Sequence, residues 1–271
     1  MRRFAMNDAA RLAVLAACLL AVPMASAAPL PVQPSAPQRC PAVTAQPTVD
    51  DKAPAPGAPR IFASLGKERH AALKKVLAAG DNPNACHGGV TPLIKTASSG
   101  DVDAIHMLHQ AGAVLDAPRS AHGGTALHAA LDAGQWPAAS ALLERGADTR
   151  QRDDDGNTAL HHLANSAHHA DVRAQAALAD MMLKLGAAID QTGAQATTPL
   201  MLAIEAGNLE LTAMLVDHGA DPALRNARGE NALAIARRRA LPAIVAMLER
   251  CIGRRPPRCA NNSTPPRYST K

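Results

Sequence analysis

Aromatic side chains are nearly missing from this chain. Its 271 residues hold two Phe, one Tyr and one Trp, about 1%. β-Sandwiches and barrels draw on aromatic and β-branched residues, so an all-β architecture is disfavoured. Base stacking needs aromatic platforms or stacked Arg, so no nucleic-acid partner is expected. Long apolar runs are scarce as well. Leu12–Val22 has only 11 residues, short of the roughly 20 that span a bilayer as a helix. No GxSxG, GxxxxGK[ST], HExxH or CxxC occurs, nor a GxGxxG after a strand. Motif support for hydrolase, P-loop, dinucleotide and zinc chemistry is therefore absent. The chain is read as non-enzymatic, with no cofactor and no metal site.

Ala and Leu fill the space instead. The hydrophobic fraction is an ordinary 47%, and both residues are strong helix formers. Close-packed helices with small residues at their contacts follow. The net charge of +5 misleads until it is located. Residues 1–27 contribute +2 and residues 253–271 contribute +5, leaving the remainder two charges on the acidic side of neutral. The basic balance is thus no argument for nucleic-acid binding.

The first 27 residues have the layout of an export signal. Arg2, Arg3 and Arg11 form a positive lead, Leu12–Val22 an apolar centre, and Ala25-Ser26-Ala27 a small-residue cleavage site. The mature protein is expected to start at Ala28 in the periplasm, with no membrane span after cleavage. A competing lipidated start at Cys18 has only six apolar residues before it and Leu19-Leu20 after it, which favours cleavage at Ala27. Residues 28–59 contain nine Pro in 32, a density that excludes helix and ladder. Residues 253–271 read as a basic disordered tail. The globular part is 60–252.

A repeat dominates that part. Thr91-Pro92-Leu93 recurs as Thr125-Ala126-Leu127, Thr158-Ala159-Leu160, Thr198-Pro199-Leu200 and Asn231-Ala232-Leu233, at steps of 34, 33, 40 and 33. Gly89, Gly123, Gly156 and Gly229 precede these by two, with Ala196 as the exception. Gly112, Gly146 and Gly219 follow by 21; Gly186 comes seven residues late, which accounts for the long step. Each unit reads as a Gly turn, a Thr-capped short helix, a second Gly, then a longer helix with apolar residues at i, i+3 or i+4. One such unit cannot bury its apolar face alone, so units must stack.

These features resemble the ankyrin repeat family, whose signature T-P-L-H-x-A has a period of 33. Thr125-Ala126-Leu127-His128 and Thr158-Ala159-Leu160-His161 match its start most closely. The resemblance implies an all-α solenoid of helix-turn-helix units with short tips. Clear repeats lie near 86–117, 118–151, 152–191 and 192–225, with a degenerate first unit at 60–85 and a C-terminal cap at 226–252.

Such a solenoid implies a binding surface on the tips and on the exposed face of the first helices. Tip candidates are His87, Val90, Ser120, His122, Arg152, Asp153, Asp154, Asp155, Asn157, Gln195, Arg228 and Glu230. Positions four and seven after the Thr give Lys95/Ser98, Ala129/Asp132, His162/Asn165, Leu202/Glu205 and Ile235/Arg238. The strongest candidates are Lys95, His122, Asp132, Asp153, Asp154, Asp155, Asn157, His162, Asn165, Leu202, Glu205 and Arg238. His128 and His161 are read as histidines hydrogen-bonded within their own repeats. The denser cluster of His161, His162, His168 and His169 spans two helical turns, too long for one zinc unless the insert folds back.

Cys40, Cys86, Cys251 and Cys259 would face an oxidising compartment. Stacking at about 8–10 Å per repeat places Cys86 and Cys251 some 40 Å apart, whereas a disulfide needs Cα atoms within about 7 Å. Cys86–Cys259 would need eight residues to cover more than their ~28 Å reach. Cys40–Cys86 with Cys251–Cys259 remains the expected pairing.

The resemblance implies a monomeric, non-catalytic module whose partner is another protein. Exported ankyrin proteins suggest an accessory or protective factor for a periplasmic oxidative-stress enzyme such as catalase. An immunity-type inhibitor of a toxin is the alternative, and metal binding by the His cluster a lesser one.

Overall fold

A computed structural model describes residues 59–119, 122–166 and 171–251. The export segment, all of the linker but Pro59, the basic tail, and Cys18, Cys40, Cys259, Ser120, His168 and His169 lie outside the described residues.

Every inner helix begins the same way. Thr91, Thr125, Thr158, Thr198 and Asn231 hold extended backbone and cap α3 (Pro92–Ser99), α5 (Ala126–Asp132), α7 (Ala159–Asn165), α9 (Pro199–Glu205) and α11 (Ala232–Arg238). The side chains of Thr91, Thr198 and Asn231 accept the N–H three residues on, which satisfies one of the orphan donors at a helix start. Pro92 and Pro199 occupy the first turn, where no N–H is needed. The inner helices stop after seven or eight residues. Gly100, for example, closes α3 in the left-handed region at φ 71°.

Longer outer helices follow: α4 (Val102–Gln110), α6 (Trp136–Glu144), α8 (Val172–Lys184), α10 (Leu209–Asp217) and α12 (Pro242–Cys251). The first unit is α1 (Arg60–Ala63) and α2 (His70–Ala78). Among the described residues the only β features are isolated bridges at two tips, His87–Val90 and Arg152–Thr158. Part of the seven-residue excess of the third repeat is spent on helix: α8 has 13 residues where α4, α6 and α10 have nine.

Inner helices stack on inner and outer on outer, α3 on α5 on α7 on α9 on α11. The contacts are made by small residues. Ala97, Ala126, Ala130, Ala159, Ala203 and Ala236 are fully buried between short helices. This is why aromatics are scarce: a large ring would push these close-set backbones apart. Leu93, Ile105, Leu127, Leu142, Leu160, Leu200 and Leu215 fill the space between the two layers.

Two alanines stand where the repeat pattern asks for glycine. Ala196 replaces the tip Gly and Ala240 the Gly that ends an inner helix, and both hold left-handed backbone, at φ 55° and 53°. Holding an L-residue there costs about 1–2 kcal/mol, partly offset by the chain entropy that Gly loses on folding. Ala196→Gly and Ala240→Gly are each expected to stabilise the protein by about 0.5–1 kcal/mol. A rise in the urea midpoint at unchanged slope would show it.

Candidate functional site

The inner helices and the tips line one face. Its side chains fall into two charge clusters, each shared between repeats. The first lies where α5, α7 and the third tip meet. His162, on α7, approaches Asp132 at the end of α5 through Nδ1 at 2.6 Å and Asp153 on the tip through Nε2 at 2.9 Å. Arg119 comes within 3.9 Å of the other Asp132 oxygen. Asp153 is held in turn by Asn157, whose backbone N–H donates to it at 2.7 Å and whose side-chain amide donates at 3.3 Å. Asn157 Oδ1 accepts the Ala194 N–H at 3.0 Å, so the third tip reaches the fourth. Burial opposes the charge on His162, and its bonds to Asp132 and Asp153 outweigh that, holding its pKa above the ordinary value. Burial likewise opposes ionisation of both carboxylates. The His162 contacts, joined at Asp153 by the Asn157 N–H, outweigh it and hold both pKa values low.

His128 and His161 play another part. Each faces its own helix start: His128 Nδ1 meets the Thr125 N–H at 3.1 Å and its hydroxyl at 2.9 Å, and His161 repeats this on Thr158. Nδ1 is thus an acceptor in both, and Nε2 carries the proton. His161 Nε2 donates to the Thr197 carbonyl at 3.2 Å. His128 sits edge-to-face on His162 at 4.8 Å. Burial first of all lowers both pKa values, to about 4. Both nitrogens of His161 and of His162 are engaged, leaving neither ring a lone pair for a metal. No group of His, Cys, Asp or Glu among the described residues is arranged to hold one.

The second cluster closes the C-terminal end of the face. Glu205 on α9 meets Arg238 of α11, with Arg228 at 3.5 Å and Arg239 at 3.7 Å. Glu230 accepts from Arg238 at 2.8 Å and Arg228 at 3.0 Å. Between the two clusters lies a cavity of about 180 Å³ lined by Asn157, His161, His162, Asn165, Thr197 and Leu202.

The structure thus joins Asp132, Asp153, Asn157 and His162 in one group and Glu205 and Arg238 in another, with Asn165 and Leu202 between them. Asp154, Asp155 and His122 are exposed on the tips, and the Asp154 N–H donates to the His122 carbonyl at 2.9 Å. Lys95 is exposed on α3, outside both groups. Two positions expected to be exposed are not: Ala129 and Ile235 are 3% and 1% accessible. That position faces the neighbouring repeat, and a short or apolar side chain there stays inside. Arg119 escaped the sequence reading, because no periodic signal marks it. Cys86 is exposed on the first tip and Cys251 is buried at the end of α12; the expected partners of both fall outside the described residues.

A family profile described as "Ankyrin repeats (3 copies)" matches residues 61–153 and 145–226. The chain belongs to the ankyrin repeat family. It is 29% identical over 155 residues to phosphocholine transferase AnkX of Legionella pneumophila, covering 56% of this chain and 16% of that protein. It is 34% identical over 133 residues to a transient receptor potential cation channel subfamily A member 1 homologue of Caenorhabditis elegans, covering 48% and 10%. With human palmitoyltransferase ZDHHC13 it shares 33% over 96 residues, covering 35% and 14%. The chain spans well under a fifth of the length of these relatives. Repeats of this kind are generally non-catalytic interaction domains, and the fold assigns this chain a protein–protein interaction module. Among the described residues no helix is long and apolar enough to cross a membrane.

Proposed function

We propose that the chain acts in the periplasm as a non-catalytic accessory factor, docking a partner enzyme of the oxidative-stress type on the face formed by α3, α5, α7, α9 and the tips. The observation that carries the docking part is the side-chain content of that face. Polar groups are shared across repeats, with exposed Asp155 and Asn165 beside them and Lys95 exposed farther along the face on α3. The export reading rests on the Arg-rich lead, apolar centre and Ala25-Ser26-Ala27 site of the sequence. Pairing of Cys40 with Cys86 and of Cys251 with Cys259 belongs to the same reading.

Asp132 and Glu205 are poor probes of docking, since each is tied into an ion-pair cluster. Lys95, Asp155 and Asn165 are better. Changing all three, as Lys95→Glu, Asp155→Lys and Asn165→Lys, is expected to leave the melting temperature nearly unchanged, because exposed substitutions cost within about 0.5 kcal/mol. Capture of the partner from periplasmic extract should fall severalfold. Undiminished capture by the folded variant would place the docking surface elsewhere. N-terminal sequencing of periplasmic protein tests the compartment, with Ala28 as the expected first residue and an acylated Cys18 as the contrary result.

A further inference from the structure

His162 holds three pieces of chain at once. Its ring reaches α5 through Asp132 at 2.6 Å and the third tip through Asp153 at 2.9 Å, while its backbone belongs to α7. A neutral imidazole has one N–H and can donate only one of these bonds; the cation donates both. The Asp153 side chain is 7% exposed, so water is poorly placed to replace a bond it loses. The tip it anchors is itself a junction. The Asp154 N–H donates to the second tip at 2.9 Å, and Asn157 accepts the Ala194 N–H of the fourth at 3.0 Å.

Among the described residues, His162 is the only cation within hydrogen-bond distance of either carboxylate. Arg119 reaches Asp132 only at 3.9 Å, beyond hydrogen-bond distance, and Arg152, beside Asp153 on the tip, donates to the Gly156 and Thr192 carbonyls instead. His128, edge-on to His162, and His161, its neighbour on α7, are both kept neutral with Nδ1 facing a threonine. α9, packed on one side, offers Glu205, which is committed to Arg238. α8, packed behind, offers Arg173, Asp180 and Lys184, the last two bonded to each other at 2.7 Å.

We propose that Asp132–His162–Asp153 is a proton-operated latch, which holds the third tip against the second repeat and frees that tip when the imidazole loses its proton. Its effect on docking rests on the function proposed above; its operation does not, and the experiment uses the chain alone. The direction follows from the ion pairs. His162 titrates above its ordinary 6.5, because the bonds to the two carboxylates outweigh burial. The latch is therefore fully shut below 6.5 and is lost as pH rises through that elevated value.

The test is heteronuclear NMR on the ¹⁵N-labelled full chain from pH 5.5 to 9, read at the His162 ring nitrogens and at the Asp154 backbone amide, which donates across to the second tip. At low pH both ring nitrogens should be protonated. Protection of the Asp154 amide, corrected for its intrinsic exchange rate, should fall about tenfold with the same midpoint as the ring, as expected for local opening. His162→Gln should show low protection that does not vary with pH. Asp132→Asn, which keeps the ring and the fold, should move the midpoint down. A ring already neutral at pH 6, or Asp154 protection unchanged while the ring titrates, would overturn the latch.

Discussion

Acidifying the protein from pH 6.5 to pH 4 is expected to cost roughly 3 kcal/mol for each of two histidines, His128 and His161. Both rings are buried and use Nδ1 to accept from a threonine that caps its own helix. A proton on Nδ1 would set donor against donor. Unfolded, the same rings protonate near 6.5; folded, they resist down to about 4. Between those values the unfolded chain binds more protons, so stability drops as pH falls through the window. Asp132 and Asp153 do not share in that loss until the pH nears their own low range. Urea denaturation at several pH values would measure the slope. Replacing both rings, as His128→Gln and His161→Gln, should flatten it while costing about 1 kcal/mol per weakened cap at neutral pH. A wild-type slope that survives the double substitution would assign the acid sensitivity to other groups. The His162 latch acts on the opposite limb, so maximum stability is expected near pH 6.5–7.

The second large effect concerns the stack. Leu160→Ala is expected to cost about 2–5 kcal/mol, the range for truncating a buried Leu. Leu160 is fully buried on α7 in the third repeat, the middle of the array. Each repeat contacts only its neighbours, so a weakened central unit has no other route to compensate. Denaturation should show a lower midpoint and, as the two halves uncouple, a smaller slope. A loss below about 1 kcal/mol would mean that the site collapses around the cavity or that the central interface contributes little.

The fold was legible because its signals are local and recur. Thr at the cap, Pro in the first turn and Gly in the left-handed turns each act within a few residues, and a period near 33 repeats them. Even the exceptions were visible: Ala196 broke the pattern in the sequence and carries backbone strain in the structure. The candidate site was only half legible. Asp132, Asp153 and His162 were each marked by position on the exposed face. Their joining was not, because His162 pairs with a residue 30 positions away through side-chain reach, which periodicity does not encode. Arg119 joins the same cluster from a turn with no repeat signature. Ala129 and Ile235 failed in the other direction: a position rule sets which way a residue points, while the neighbouring side chains decide whether it reaches water.

If the face of the inner helices docks a protein, photo-crosslinking will capture the contact. A photo-crosslinking amino acid placed at Asn165, exposed at the end of α7, and in a separate protein at Glu144, exposed at the end of outer helix α6, probes that contact in intact cells. A discrete crosslinked partner is expected from position 165, abolished by the Lys95→Glu and Asp155→Lys changes, and none from position 144. A partner crosslinked from position 144 alone, or equally from both positions, would refute docking on the inner-helix face.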